Sequence, residues 1–141
     1  MSFWDSSALV PLIVQQALTD RAERNYQKER GGIIIWWGTL SECVSALARL
    51  ERSKDLTTDE VEQALKALTA ISTSWHEILP SDLLREKANR LMRVHPLRMG
   101  DAFQLASAII ASEDLVSAVT VATFDERLTV AARKEGFEIV A

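Results

Sequence analysis

The most strand-like stretch of this chain is Ile33-Ile34-Ile35-Trp36-Trp37. Its β-branched and aromatic residues favour an extended strand over a helix. Because the run does not alternate with polar residues, we expect both faces of the strand to be buried. Burial on both faces is typical of a parallel sheet covered by helices, so this stretch predicts an α/β fold.

Strand-like and helix-like segments alternate along the rest of the chain. The other strand-like runs are Phe3-Trp4, Trp75 to Leu79, Val116 to Thr123 and Phe137 to Val140. Repeated strand-helix-strand units predict right-handed crossovers that place helices on both faces of a sheet. We therefore expect a three-layer α/β/α fold with a central parallel sheet of four to five short strands.

Capping residues predict where several helices begin. Thr57 is followed three residues later by Glu60, the spacing of a capping box. Ser81 can cap the helix after the third strand, and Thr39 or Ser41 can cap the helix after the second. These positions divide the chain without any linker or repeat.

Length and composition indicate one globular domain over residues 1–141, with 48% hydrophobic and 26% charged residues. The apolar runs are too short to cross a bilayer, and the N-terminus lacks the pattern of a signal peptide, so we expect a cytoplasmic protein with no membrane partner. The single cysteine, Cys43, excludes an intramolecular disulfide and a cysteine-based zinc site. A net charge of -4 argues against a protein that coats nucleic acid in general.

Four acidic residues stand where strand-like runs give way to helices: Asp5, Glu42, Asp101 and Asp125. Because the carboxyl ends of parallel strands meet at one edge of a sheet, we expect these side chains to converge. Gathered carboxylates repel one another unless a cation lies among them, and oxygen ligands suit Mg²⁺ or Mn²⁺. The sequence therefore predicts a metal site.

Such a site suits phosphodiester hydrolysis, because one or two divalent ions can activate water and neutralise charge on the phosphoryl oxygens. We assign Asp5 and Asp101 as the direct ligands, with Glu42 and Asp125 completing the site directly or through water. The residues leave open which carboxylate acts as general base. The alternative for each acid is a purely structural role at a helix N-cap or first turn.

Basic side chains flank the acidic positions and are candidates for phosphate contact. They are Arg49, Arg93, His95 and Arg98. The alternative for each is a solvated surface, and His95 in particular is expected to face solvent in a turn. Trp36 and Trp37 could stack on bases if exposed, although a strand this apolar favours burial of one or both. Cys43 is expected to pack in the core, and Gln104 to reach the cleft or lie on a surface.

Four ordered motifs resemble the signature of PIN domains, most closely the VapC-type toxins of toxin-antitoxin pairs. The motifs are Asp5-Ser6-Ser7-Ala8-Leu9, Leu40-Ser41-Glu42 with Ala48-Arg49, Arg98-Met99-Gly100-Asp101-Ala102-Phe103-Gln104-Leu105-Ala106-Ser107-Ala108, and Thr123-Phe124-Asp125-Glu126-Arg127-Leu128. The resemblance implies an endoribonuclease dependent on Mg²⁺ or Mn²⁺, centred on the same four acids. It also implies hydroxyl support from Thr123 or Ser6, homodimerisation, and a cognate antitoxin protein that occupies the cleft. Glu126 is a candidate for an additional acid.

Two functions of other classes remain open at this level. A phosphoacceptor receiver domain also has a parallel sheet and an acidic Mg²⁺ site, but it needs a lysine after a late strand, and the segment from Phe137 to Ala141 has none. A catalytically inactive binding module would use the four acids only as helix caps.

Overall fold

The computed structural model describes residues 1–113 and 118–140, and these contain five strands and seven helices. In chain order the elements are β1 (Ser2–Trp4), α1 (Ser6–Ile13), α2 (Thr19–Lys28), β2 (Ile33–Trp36), α3 (Thr39–Arg52), α4 (Thr58–Ser72), β3 (His76–Ile78), α5 (Asp82–Val94), α6 (Met99–Ser112), β4 (Thr120–Ala122), α7 (Glu126–Lys134) and β5 (Ile139–Val140).

The strands form one parallel sheet in the order β3-β2-β1-β4-β5. Strand β1 lies at the centre, and Phe3 pairs with Ile34 of β2 on one side and with Val121 of β4 on the other. The chain first builds outward from β1 through β2 to β3 and then returns to add β4 and β5. The strand order therefore reverses between β1 and β4, where folds of this kind form a ligand crevice.

Helices cover both faces of the sheet, which confirms the predicted α/β/α architecture. Phe3 and Ile34 pack against α5, α6 and α7. Trp4, Ile33 and Ile35 point to the opposite face and pack with α1, α3 and α4. Ile33, Ile34 and Ile35 are all buried, as their unbroken apolar sequence predicts.

The strand order rules out the receiver alternative. Receiver domains have the strand order 2-1-3-4-5. In that order β2 lies on one side of β1, and the chain then crosses over to place β3 on the other side of β1. Here β2 and β3 are added on one side of β1 before the chain crosses to β4.

The capping predictions are confirmed at two helices and wrong at a third. Thr57 and Glu60 form the capping box of α4, and the Ser81 hydroxyl accepts the Leu84 N–H at the start of α5. Helix α3 instead has Gly38 at its N-cap, without a side-chain hydrogen bond. Thr39 is buried and its hydroxyl bonds across to α6, so it is not available to cap its own helix.

Three strands are shorter than their apolar runs predict. The run from Trp75 contributes only His76–Ile78, and the run from Phe137 only Ile139–Val140. The strand expected from Val116 is found over Thr120–Ala122, and residues 116 and 117 lie outside the described part of the chain. Phe137 is a buried core residue outside the sheet, because hydrophobicity marks burial and does not by itself mark strand pairing.

None of the helices in the two described ranges has the length and apolarity that a bilayer crossing requires.

Candidate acidic active site

Asp5 lies directly after β1, at the N-cap of α1, and its side chain is only 4% exposed. Its Oδ1 accepts the Ala8 N–H at 3.3 Å and the Ser7 hydroxyl at 2.7 Å. The end of the central strand thus places a buried carboxylate at the point where the strand order reverses.

Asp125 occupies the equivalent position after β4. It is the N-cap of α7, and its Oδ1 accepts the Leu128 N–H at 2.7 Å. The two strand ends are joined directly, since the backbone N–H of Asp5 donates to the carbonyl of Ala122 at 3.3 Å. Asp5 and Asp125 therefore do cap their helices, and both caps lie at the ends of the two paired strands β1 and β4.

Two hydroxyls connect the loops that carry Asp5 and Asp125. Ser7 Oγ accepts the Phe124 N–H at 2.8 Å and lies 3.2 Å from Thr123 Oγ1. Thr123 Oγ1 accepts the Asp125 N–H at 3.0 Å. Thr123 therefore lies where hydroxyl support is expected, whereas the second hydroxyl is that of Ser7 and not that of Ser6.

Glu42 and Asp101 come from the first turns of α3 and α6 and cap neither helix. Glu42 Oε1 accepts a hydrogen bond from Gln104 Nε2 at 2.7 Å. A Cβ placed on Gly100 would lie 3.9 Å from Glu42 Oε2, so the start of α6 lies against this carboxylate. The two helices thus bring their acids to the same side of the sheet edge.

The pKa values show that the four carboxylates influence one another as neighbours. Burial raises the pKa of Asp101, and the charge of Asp125 raises it further, against the opposing charges of Arg98 and Arg127. Burial also raises the pKa of Glu42, to which the charge of Asp101 adds. We call Asp5, Asp125, Asp101 and Glu42 together the acidic row.

Asp5 is the most strongly affected member of the acidic row. Burial raises its pKa to about 7, and the charge of Asp125 contributes in the same direction. Hydrogen bonds from Ser7, Thr123 and the Ala8 N–H oppose the rise without cancelling it. Desolvation is therefore the dominant effect on this carboxyl.

The acidic row has the donor chemistry of a site for a hard divalent cation, because every side chain in it offers carboxylate oxygens. Within residues 1–113 and 118–140, no lysine, arginine or histidine forms an ion pair with any of its members. In the same ranges no three acidic, histidine or cysteine side chains form a ready-made metal cluster. The residues fit an ion such as Mg²⁺, which keeps several waters and needs only one or two direct carboxylate ligands.

A cleft of about 640 Å³ opens beside the acidic row. Its lining includes Ser6, Ser7 and Asp125 from the site and Arg49 from α3. Arg49 is exposed and so presents a cation to this cleft. Ser6 thus lines the cleft, although it does not bond Asp5.

The remaining basic candidates differ in how near they lie to the acidic row. Arg98 lies close enough to Asp101 to lower its pKa, as does Arg127, whose proximity the sequence did not suggest. Arg93 is exposed on α5 in a surface pocket with Asn89 and Val94. Of these three arginines, Arg98 and Arg127 therefore act on the acidic row, through Asp101.

The expected solvent-facing position of His95 is wrong. The side chain is buried, and its Nε2 lies 2.7 Å from Glu135 Oε2, beside an ion pair between Arg90 and the same carboxylate. Burial alone would raise the pKa of Glu135, but the bonds and charges of Arg90 and His95 lower it overall. Pro96 ends the helix beside His95, and the contact with Glu135 at the end of α7 holds the imidazole inside the protein.

Other sequence-based expectations have mixed outcomes. Cys43 is buried as predicted, and burial together with the charges of Glu42 and Asp5 raises the pKa of its thiol to about 12. Trp36 is half-buried, whereas Trp37 is 55% exposed. Glu126 is exposed in the first turn of α7.

Sequence reasoning underrated Ser7 and Gln104. Ser7 lies two residues after Asp5, a spacing at which a hydroxyl can return to the aspartate. Gln104 is a lone amide on an apolar helix, one turn after Asp101, and it is only 1% exposed. A buried polar side chain must find a hydrogen-bond partner, so its position on an apolar helix was the available signal.

The fold and the acidic row together define an α/β protein with a carboxylate-lined site at the reversal of its strand order. The model of the PIN domain family matches residues 3–134, and the chain belongs to this family. This result confirms the resemblance seen in the four sequence motifs.

Solved structures with the same fold include toxins and toxin-antitoxin complexes. VapC20 of Mycobacterium tuberculosis, described as a sarcin-ricin loop cleaving toxin, is 19% identical with a TM-score of 0.70, over 97% of this chain and 96% of that one. FitAcB of Neisseria gonorrhoeae is 14% identical with a TM-score of 0.73, over 100% and 97%. A toxin-antitoxin complex of Klebsiella pneumoniae is 17% identical with a TM-score of 0.63, over 89% and 87%. At these identities the likeness establishes the shared fold, and no curated protein sequence matched the chain.

Proposed function

We propose that this protein is a divalent-metal-dependent endoribonuclease that hydrolyses RNA phosphodiester bonds as the toxin of a type II toxin-antitoxin pair. The observation that carries the proposal is the acidic row in a PIN domain. Its four carboxylates come from four separate segments and have no paired cation among the described residues. Such an arrangement is costly for the fold unless a ligand neutralises it.

Asp5 and Asp101 are the proposed direct ligands of one or two Mg²⁺ or Mn²⁺ ions, with Glu42 and Asp125 binding directly or through water. A bound divalent ion would supply an activated water and stabilise charge on the phosphoryl oxygens. Ser7 holds Asp5 in place by donating a hydrogen bond to its carboxylate, and Thr123 accepts the Asp125 N–H and so fixes the loop that carries Asp125. A pKa of about 7 means that Asp5 changes its protonation state near neutral pH when no cation is present.

Substrate contacts are proposed for exposed cations and one aromatic side chain around the acidic row. Arg49 in the cleft, with Arg98 and Arg127 near Asp101, would bind phosphates on either side of the cut. The chain has a net charge of -4, so affinity for RNA depends on such local contacts and not on the overall field.

Trp37 is the proposed base-stacking side chain. It follows β2 and is held edge-on by Trp36, at a centroid distance of 6.3 Å and an interplanar angle of 69°. Trp36 in turn stacks on Phe103, two residues after Asp101, at 5.5 Å. An exposed, fixed indole can stack on an unpaired base.

The proposed protein partner is a cognate antitoxin that occupies the cleft, and the proposed assembly is a homodimer acting in the cytoplasm. A toxin-antitoxin complex among the solved structures of the same fold supports the first of these. Exposed apolar side chains, including Leu79, Val94 and Met99, support the existence of an interface on this chain.

The direct test of the proposed function is cleavage of a structured RNA by the purified protein with Mg²⁺ or Mn²⁺, and with EDTA as the metal-free control. We expect Asp101→Asn to abolish cleavage while the circular dichroism spectrum stays unchanged. Asp59→Asn is the matched control, because Asp59 is an exposed acid in the first turn of α4. Cleavage that survives both Asp101→Asn and EDTA would rule out the proposed mechanism, and a protein that neither cuts RNA nor binds metal would support the inactive binding module.

A further inference from the structure

Gln104 lies on the buried side of α6, between residues that form the core. Its neighbours Leu105 and Ala106 are fully buried, and Gln104 itself is 1% exposed. Burying an amide without partners is costly, so its hydrogen bonds decide whether it belongs at this position.

Both N–H groups of the Gln104 amide have acceptors on α3. Nε2 donates to Glu42 Oε1 at 2.7 Å and to Thr39 Oγ1 at 2.9 Å. The Thr39 hydroxyl, itself fully buried, donates to Gln104 Oε1 at 3.2 Å. A carboxylate can only accept, so the amide nitrogen must face Glu42 and the orientation of the amide is fixed.

These bonds give the two oxygens of Glu42 different environments. Oε1 is engaged by Gln104, whereas Oε2 faces Gly100 at the start of α6. Oε2 is thus the oxygen that lies beside the first turn of α6, the turn that also carries Asp101. Rotation of the carboxylate would break a hydrogen bond to an amide that has no access to water.

We propose that Gln104 is a positioning residue, which with Thr39 holds Glu42 Oε2 toward the acidic row so that it can meet a divalent cation. This role rests on the proposed function for its link to metal. The bond itself joins α3 to α6 across 62 residues of sequence and exists without metal. Outer-shell partners of this kind typically change metal affinity when removed.

The first arm of the test is a double-mutant cycle on unfolding in urea, measured without metal. Gln104→Met and Glu42→Met are made singly and together, because methionine at position 42 has no oxygen to accept the Gln104 N–H. We expect the two changes to be coupled and not additive, because each removes the same hydrogen bond. Additive effects would overturn the bond on which the role depends.

The second arm is titration of the same variants with Mn²⁺ by calorimetry. We expect Gln104→Met to weaken Mn²⁺ binding about 10-fold or more, and to have little further effect when Glu42→Met is present. Thr39→Val should weaken binding by a smaller factor, whereas Thr39→Ser, which keeps the hydroxyl, should restore it. Ser107→Ala is the matched control, because the Ser107 hydroxyl is buried on the same helix but bonds only the Phe103 carbonyl.

The two arms distinguish failure of this inference from failure of the proposed function. A wild-type protein that binds no Mn²⁺ overturns the proposed function and the positioning role with it. A wild-type protein that binds Mn²⁺, beside a Gln104→Met variant of equal affinity, overturns the positioning role alone.

Discussion

Asp5 and Asp125 are anchored by backbone N–H groups at helix N-caps, whereas Glu42 and Asp101 cap nothing and stand in the first turns of helices that begin at other residues. The first pair therefore contributes to the stability of α1 and α7 as well as to the site. The second pair forms no such cap, although Glu42 accepts a hydrogen bond from Gln104. This difference teaches that acids which cap no helix are the stronger indication of a ligand.

The largest expected effect is on the rate of RNA cleavage, and it should be the same for a member of either pair. Asp5→Asn and Glu42→Gln should each reduce the rate of RNA cleavage by about 1000-fold or more, because metal-ion stabilisation of the transition state is worth several kcal/mol. The double variant should be little worse than either single one, since the members act as a unit. Initial rates at saturating Mn²⁺ measure this.

A loss of activity confined to Asp5→Asn would contradict this prediction. Full activity in Glu42→Gln would remove Glu42 from the site.

The next effect is on the pH dependence of stability, and it arises from the burial of Asp5. Its folded-state pKa of about 7 lies above the ordinary value of 3.8, so between these values the folded protein binds more protons than the unfolded chain. The metal-free protein should therefore lose stability as the pH rises through this window, by at most about 4 kcal/mol. Urea unfolding in EDTA from pH 4.5 to 8.5 measures the slope.

Asp5→Asn is the matched variant, because asparagine keeps the helix cap but cannot titrate. Its stability should depend less steeply on pH than that of the wild type. Identical pH profiles for the two proteins would show that Asp5 titrates normally.

The smallest expected effect tests directly whether the strand-end acids stabilise the fold as helix caps. In the metal-free protein Asp125→Ala should destabilise the fold by about 1 kcal/mol, because it removes the cap of α7. Asp101→Ala should leave stability unchanged or raise it slightly, since it removes a carboxylate whose charge is disfavoured by burial and by Asp125. Equal destabilisation by the two variants in urea would contradict the comparison.

The sheet and its acidic edge were accessible from sequence for a physical reason. Ile33-Ile34-Ile35 can be buried on both faces only in a covered parallel sheet, and the ends of parallel strands must share an edge. Asp5 and Asp125 then share that edge, and the pairing of β1 with β4 makes them neighbours. Local rules also located the capping box of α4, where partners lie three residues apart.

Contacts between distant segments were not accessible in the same way. Gln104 bonds a residue 62 positions away, and His95 contacts Glu135 across 40 residues. The local sequence around Gln104 and His95 therefore does not predict that these side chains are buried. The choice between Ser6 and Ser7 depends on where the loop after β4 passes α1. The position of each of these side chains depends on tertiary packing, which composition and local pattern do not specify.

The central claim is that the acidic row holds a divalent cation, and calorimetric titration of the EDTA-stripped protein with Mn²⁺ tests it most directly. The account predicts saturable binding at one or two sites per chain, greatly weakened by Asp101→Asn and unchanged by Asp59→Asn. Equal Mn²⁺ affinity in the wild type and in Asp101→Asn, or no binding by either, would contradict it.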